Sequence, residues 1–217
     1  MKAGPPQVFS WSEQEGLIGT NPIKHVKKPA IRRRERLVTN DEKKQILTAI
    51  KDQVFKNFVF AMQETGARPS EVAHVTADAC NLREGVWVLQ KHKTVKKVGK
   101  PRVIYLTPAM LELTEHLIAK NPTGSLFRNT RGKPFTKNAI RCRFRRLRKN
   151  NPNLAGVVAY CYRHSFATNA LVNGVGIAQV AELLGHSSAT MVLKHYSHLA
   201  ENVAHLRQAA VKATESK

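Results

Sequence analysis

YCYRHSFATNALVNGVGIAQVAELLGHSSATMVLKHYSHLA, residues 160–200, is the stretch on which the reading of this chain turns. Phe166, Ala167, Ala170 and Leu171 fall on one helical face, because residues three and four apart lie one above another. Gly174 and Gly176 predict a turn, Ile177, Val180, Leu183 and Leu184 a second helix, and Gly185 its end. Polar groups sit at the ends of these elements: Tyr160 and Arg163 at a helix start, His186 in the turn after Gly185, and Tyr196 ten residues further on in Lys194-His195-Tyr196-Ser197-His198. A last helix, from about residue 200 to 213, carries Leu199, Val203, Leu206 and Ala210 as an apolar stripe.

Working back from this stretch, Thr136 to Arg148 reads as a helix with Ile140, Phe144 and Leu147 on one stripe. Lys137, Arg141, Arg145 and Arg148 form a second stripe about 100° round the axis, suited either to solvent or to a row of phosphates. Thr107-Pro108 is a cap and first turn, with Met110, Leu111, Leu113 and Leu117 as core candidates. Val86-Trp87-Val88-Leu89 and Val103-Ile104-Tyr105-Leu106 are short β-rich runs around a basic turn that contains Lys91, Lys93, Lys96, Lys97, Gly99 and Lys100. With a further strand near Val75 they predict a small antiparallel sheet. Thr39-Asn40-Asp41-Glu42 has the form of a capping box before Ile46, Leu47 and Ile50. Phe55, Phe58, Val59 and Met62 recur at helical spacing until Gly66 stops the run. Residues 1–36 are broken by Pro5-Pro6, Gly16, Gly19, Asn21-Pro22 and Pro29 and carry a basic run. They read as a linker with one short helix near Trp11 to Leu17.

The chain has 217 residues, enough for one well-buried domain, and 42% of them are hydrophobic. Its 36 Lys and Arg against 15 Asp and Glu leave a formal charge of +21, which points to a polyanionic partner, nucleic acid ahead of a ribosomal or membrane surface. No stretch approaches the roughly 18 apolar residues of a membrane span, and no signal peptide is evident. Cys80, Cys142 and Cys161 are odd in number and widely spaced, the pattern of reduced thiols in a cytoplasmic protein.

The scarcity of acids argues against a carboxylate-held Mg²⁺ site, and no phosphate-binding glycine loop is present. Chemistry on a phosphodiester would then rest on the chain's own cations, and arginine suits it through paired bonds to phosphate oxygens. Thr65-Gly66-Ala67-Arg68-Pro69-Ser70-Glu71 supplies one arginine just after a helix stop, with Glu71 placed to orient it. Arg163, Leu184-Gly185-His186 and Tyr196 follow in order. Singly each pattern is weak. In this order, from about Thr39 to the end, they resemble the signature of the tyrosine site-specific recombinases of the phage-integrase type.

That resemblance implies a mixed α+β catalytic domain, mainly helical, with a small three-stranded antiparallel sheet at one edge. It assigns residues 37–217 to this domain and 1–36 to a linker and the remnant of an N-terminal core-binding domain. It implies DNA cleavage and rejoining through a 3′-phosphotyrosyl intermediate, with neither metal nor other cofactor. Arg68 and Arg163 would clamp the scissile phosphate, His186 would hydrogen-bond it, and Tyr196 would attack. Lys93 best matches the lysine that protonates the leaving 5′-oxygen, with Lys91, Lys96 and Lys97 close by. Tyr160 stands where the family most often has histidine, and with an ordinary pKa near 10 it is a poorer proton shuttle. Lys91, Lys96, Lys97, Lys137, Arg141, Arg145 and Arg148 are candidate DNA contacts. The partners implied are double-stranded DNA and further protomers in a synaptic tetramer, the chain being a monomer without DNA and its last helix docking on a neighbour. The expected location is the cytoplasm, on the nucleoid. His186, His195 and His198 lack a cysteine or acid to complete a zinc site. Two rivals remain: a non-enzymatic helix-turn-helix DNA-binding protein over residues 166–184, and a type IB topoisomerase-like enzyme.

Overall fold

The structure, a computed structural model, describes residues 5–26, 36–90, 101–186 and 188–193. The chain divides into two units, Met1–Arg34 and Glu35–Lys217. In the first, helix α1 spans Pro5–Gln14. It begins on the prolines that the sequence reading takes for a break, because a first helical turn has no use for the N–H that proline lacks. Asn21 closes the turn that follows, donating to Ser10 Oγ at 3.2 Å and accepting from the Ile23 N–H at 3.0 Å.

In the second unit local sequence sets most helix ends. Thr39 and Glu42 form the expected capping box of α2, Asn40–Ala49, and Arg36 pairs with the same Glu42. Asp52 accepts from the Val54 and Phe55 N–H groups to start α3, Gln53–Thr65. Gly66 ends α3 at φ +60°, and a short α4 covers Pro69–Ala73. Three strands follow, β1 (Cys80–Asn81), β2 (Val86–Leu89) and β3 (Arg102–Tyr105), antiparallel in the order β1-β2-β3. Val86 stands opposite Tyr105 and Leu89 opposite Arg102. Thr107 caps α5, Pro108–Lys120, and Thr136 caps α6, Lys137–Asn150. Two further helices follow, α7 (Ala159–Val172) and α8 (Ile177–Leu184), and residues 190–193 are helical again. This is the mainly helical α+β class with a small three-stranded sheet that the sequence predicts.

One strand lies elsewhere than expected. Val75 is fully buried but belongs to no strand; its carbonyl accepts from the Leu126 N–H at 2.9 Å, beside an isolated bridge between Thr76 and Ser125. A 3-10 turn over Ala77–Ala79 intervenes, and the strand that pairs with β2 is Cys80–Asn81. The hairpin geometry dictates this, since Asn81 Oδ1 accepts from the Glu84 N–H and Gly85 turns at φ +63°, placing the strand directly before the turn.

The core between these elements is aromatic. Phe55 lies edge-on to Phe135 and Phe144, Phe58 edge-on to Phe127, and Trp87 edge-on to Phe127. Each such side chain, fully buried, stabilises the fold by about 1.5–3 kcal/mol. A second cluster joins α7 to α8 through Ala167, Val180, Ala181, Leu184 and Val192, with Phe166 and Leu171 packed against it.

Gly66 ties the clusters together. A Cβ there would lie 2.5 Å from Phe166 Cδ1, in a backbone conformation that disfavours side chains. Gly66→Ala is therefore expected to lower the unfolding free energy by about 2–3 kcal/mol, read by urea titration. A loss below about 0.5 kcal/mol would show that Phe166 yields freely.

Candidate active site

The stop at Gly66 fixes where Arg68 points. Arg68 precedes Pro69, which keeps its backbone out of the helical region at φ −65° and ψ 142° and makes it the first residue outside α4. Glu71, buried one turn into α4, holds both ends of Arg68. Its Oε2 accepts from the Arg68 backbone N–H at 2.9 Å and its Oε1 from Arg68 Nη1 at 2.6 Å. Arg68 Nη2 reaches Gly185 O at 3.4 Å.

Arg163 comes to the same place from α7. Its side chain is buried, with Nη1 donating to Gly66 O at 3.1 Å and Nη2 to Leu184 O at 2.6 Å. The target is the end of α8. Gly185 turns at φ +63°, and the His186 N–H donates back to Ala181 O at 2.9 Å, an αL closure that sets His186 immediately beyond the helix. Arg68, Arg163 and His186, 118 positions apart in sequence from first to last, thus meet at one helix terminus.

A third arginine in this cluster is absent from the sequence-derived site. Arg102 opens β3 and is as buried as Arg163. Its Nη1 donates to Glu182 O at 3.2 Å, its Nη2 to Leu183 O at 2.5 Å, and its Nε lies 3.8 Å from Glu71 Oε2. The signal that could have found it is strand alternation. The period of two that turns Ile104 inward turns Arg102 inward as well, and a cation on the core face of a strand calls for a partner.

Three guanidiniums around the single carboxylate of Glu71 leave two positive charges in a largely buried cluster. Burial, and then the charge of Arg68, pull Arg163 down to about 10. Burial also lowers Arg102, against the pull of Glu71. Arg163 remains cationic at neutral pH. The negative end of the α8 dipole lies against all three arginines, and His186 follows directly. Such a cluster, rich in rigid N–H donors and in positive charge, suits a phosphate.

The other sequence candidates lie around it. Tyr160 is in the first turn of α7, exposed, its ring edge-on to His164 with centroids 5.2 Å apart. On α6, Lys137, Arg141 and Arg145 are exposed. Arg148 is half-buried and donates to Val157 O at 2.7 Å. Lys91, Lys93, Lys96, Lys97, Tyr196 and the helix expected at about 200–213 lie outside the described residues. Among the described residues no group of three His, Cys, Asp or Glu side chains is gathered as a metal site requires, and no helix is long and apolar enough to cross a membrane.

A largely helical α+β fold with three arginines gathered at one helix end is an arrangement that suits a phosphate, and comparison with known proteins gives the family. Residues 36–203 match the phage integrase family, and the chain belongs to that family. It is 31% identical over 159 residues to tyrosine recombinase XerD of Staphylococcus aureus strain N315, covering 70% of this chain and 52% of that protein. The XerD of Staphylococcus saprophyticus is 29% identical over the same length. The chain therefore spans about half the length of the curated relatives it matches. Among solved structures, the Tn1549 transposon integrase in complex with circular intermediate DNA superposes with a TM-score of 0.74 at 17% identity, over 97% of this chain and 78% of that one. XerA recombinase superposes at 0.63 and 21%, over 98% and 75%.

Proposed function

We propose that this chain cuts and rejoins DNA strands in site-specific recombination or integration, through a 3′-phosphotyrosyl link to Tyr196. The observation that carries the reading is the convergence of Arg68, Arg163 and His186 on the end of α8 in a member of the phage integrase family. In this scheme the Tyr196 Oη, its proton released to solvent, attacks the scissile phosphorus in line and the bond to the 5′-oxygen breaks. That oxygen leaves with a proton from Lys93. Arg68 and Arg163 bind the non-bridging oxygens, where charge builds in the pentacovalent state, and His186 donates to the same phosphate. Tyr160 stands one turn ahead of Arg163 as a further hydrogen-bond donor. The 5′-hydroxyl of a partner strand then attacks the phosphotyrosine and releases Tyr196.

Residues 37–217 form the catalytic domain on this reading, with residues 1–36 a linker and part of an N-terminal core-binding domain. The Tn1549 integrase neighbour was solved with DNA and a lambda integrase neighbour as a dimer on its core site. By extension the partners are double-stranded DNA and further protomers in a synaptic tetramer. The exposed Lys137, Arg141 and Arg145 would follow phosphates, with Arg148 ending the row and the turn lysines Lys91, Lys96 and Lys97 adding to it. The place of work is the cytoplasm, on the nucleoid.

The helix-turn-helix rival is weakened by α8 itself. Its exposed residues are Ala178, Gln179 and Glu182, and it holds no Lys or Arg with which to approach DNA. Trapping on a nicked suicide substrate decides between enzyme and binder. A denaturant-stable adduct mapping to Tyr196, formed equally in EDTA because the scheme calls on no metal, is the expected result. Tight binding without any adduct would leave a DNA-binding protein.

A further inference from the structure

The end of α8 is held by more cations than phosphate binding requires. A helix leaves its last carbonyls without intrahelical partners. Here four successive carbonyls are each met by an arginine: those of Glu182 and Leu183 by Arg102, that of Leu184 by Arg163 and that of Gly185 by Arg68. Arg102, like Arg163, donates from both terminal nitrogens to backbone carbonyls, but it meets three of them where Arg163 meets two. Its Nη1 donates to Val103 O as well as Glu182 O, and its Nη2 to Leu183 O. Its stem lies flat against Gly185, where an added Cβ would come within 2.5 Å of Nε and 2.6 Å of Cδ. On its other side it faces the Glu71 carboxylate that orients Arg68. Arg102 therefore touches the supports of both neighbours and is only 4% exposed itself.

We infer that Arg102 is a positioning residue that acts through His186 and Arg68: it sets the end of α8, and with it the direction in which His186 leaves the helix, without contacting the phosphate. The inference rests on the proposed strand-cleavage reading. The fork is essential to it. A guanidinium bonds two carbonyls in fixed geometry, whereas a lysine ammonium in that place is a single point charge. A displacement of about 1 Å at a reacting group can lower a rate about a hundredfold.

The test compares Arg102→Met and Arg102→Lys in the full chain. Both are expected to bind a duplex carrying the recombination site within about twofold of the parent, since phosphate contacts set affinity. Single-turnover cleavage should fall about 10- to 100-fold in both, lysine failing to rescue. In a His186→Ala background the same substitutions should cost much less than in the parent, because groups that act as one unit are not additive. An undiminished cost there would show direct phosphate contact or another route, and would overturn the inference. Independently of activity, the imidazole resonances of ¹⁵N-labelled His186 should shift on Arg102→Lys or Arg102→Met. Unchanged resonances would overturn it too, and should Arg102→Met not fold, Arg102→Lys alone supports both comparisons. If the parent chain forms no adduct, the cleavage reading falls while the resonance test still decides whether Arg102 positions His186.

Discussion

Tyr196→Phe is expected to bind DNA as the parent does and to form no covalent adduct. Only a phenolic oxygen can become the bridging atom of a phosphotyrosine, and the ring of phenylalanine offers no substitute nucleophile. Affinity depends on a different set of groups. With a formal charge of +21, association is dominated by counterion release, whose salt slope of about 0.9 per neutralised phosphate does not register a lost hydroxyl. Titrations at several salt concentrations should therefore superpose for parent and variant, while suicide-substrate assays separate them completely. An adduct that persists in Tyr196→Phe and maps to another side chain would refute the assignment. A variant that fails to bind would move Tyr196 from nucleophile to structural residue.

Much of this arrangement can be read from sequence wherever it is decided within a few residues. The capping box at Thr39, the caps at Thr107 and Thr136 and the αL stops at Gly66 and Gly185 all close over one turn of chain, and each lies where its residues predict. The same holds for the Arg68 and Glu71 pair, three residues apart. Contacts across long sequence separations are a different matter. Arg102 meets carbonyls 80 and 81 positions away, so nothing beside it in sequence names its partners. Cys80–Asn81 is a strand of two residues, too short to show a period, and only its turn and its partner Val86-Trp87 define it. Arg148 has the spacing of a phosphate-facing stripe and also donates through Nη1 to Val157 O, because the chain after α6 returns past it. The charge pattern of one helix cannot foresee that return.

Arg163→Ala is expected to separate activity from stability. On the activity side, removing a charge-stabilising donor from a reacting phosphate costs about 3 kcal/mol or more, so single-turnover cleavage should fall by at least about a hundredfold. On the stability side two effects oppose each other. Truncation leaves Gly66 O and Leu184 O without the donors they have at 3.1 and 2.6 Å, at about 1–3 kcal/mol each where water cannot replace them. It also removes a buried cation that sits beside Arg68 and Arg102. Burial holds its pKa at about 10, below the ordinary arginine value, so the folded chain resists its charge. The sign follows from proton binding. Between about pH 10 and the ordinary value the unfolded chain holds more protons, so stability rises with pH there; at neutral pH the full penalty of charge burial is present. Relief of that penalty offsets part of the loss at the two carbonyls. Arg163→Ala should then unfold within about 2 kcal/mol of the parent at pH 7 while cleavage nearly disappears. Arg163→Lys should rescue little, because one ammonium cannot reach both carbonyls and present a fork to the phosphate as well. Cleavage within tenfold of the parent in either variant would remove Arg163 from the phosphate site. A loss of activity matched by global unfolding at the assay temperature would make it a structural arginine alone.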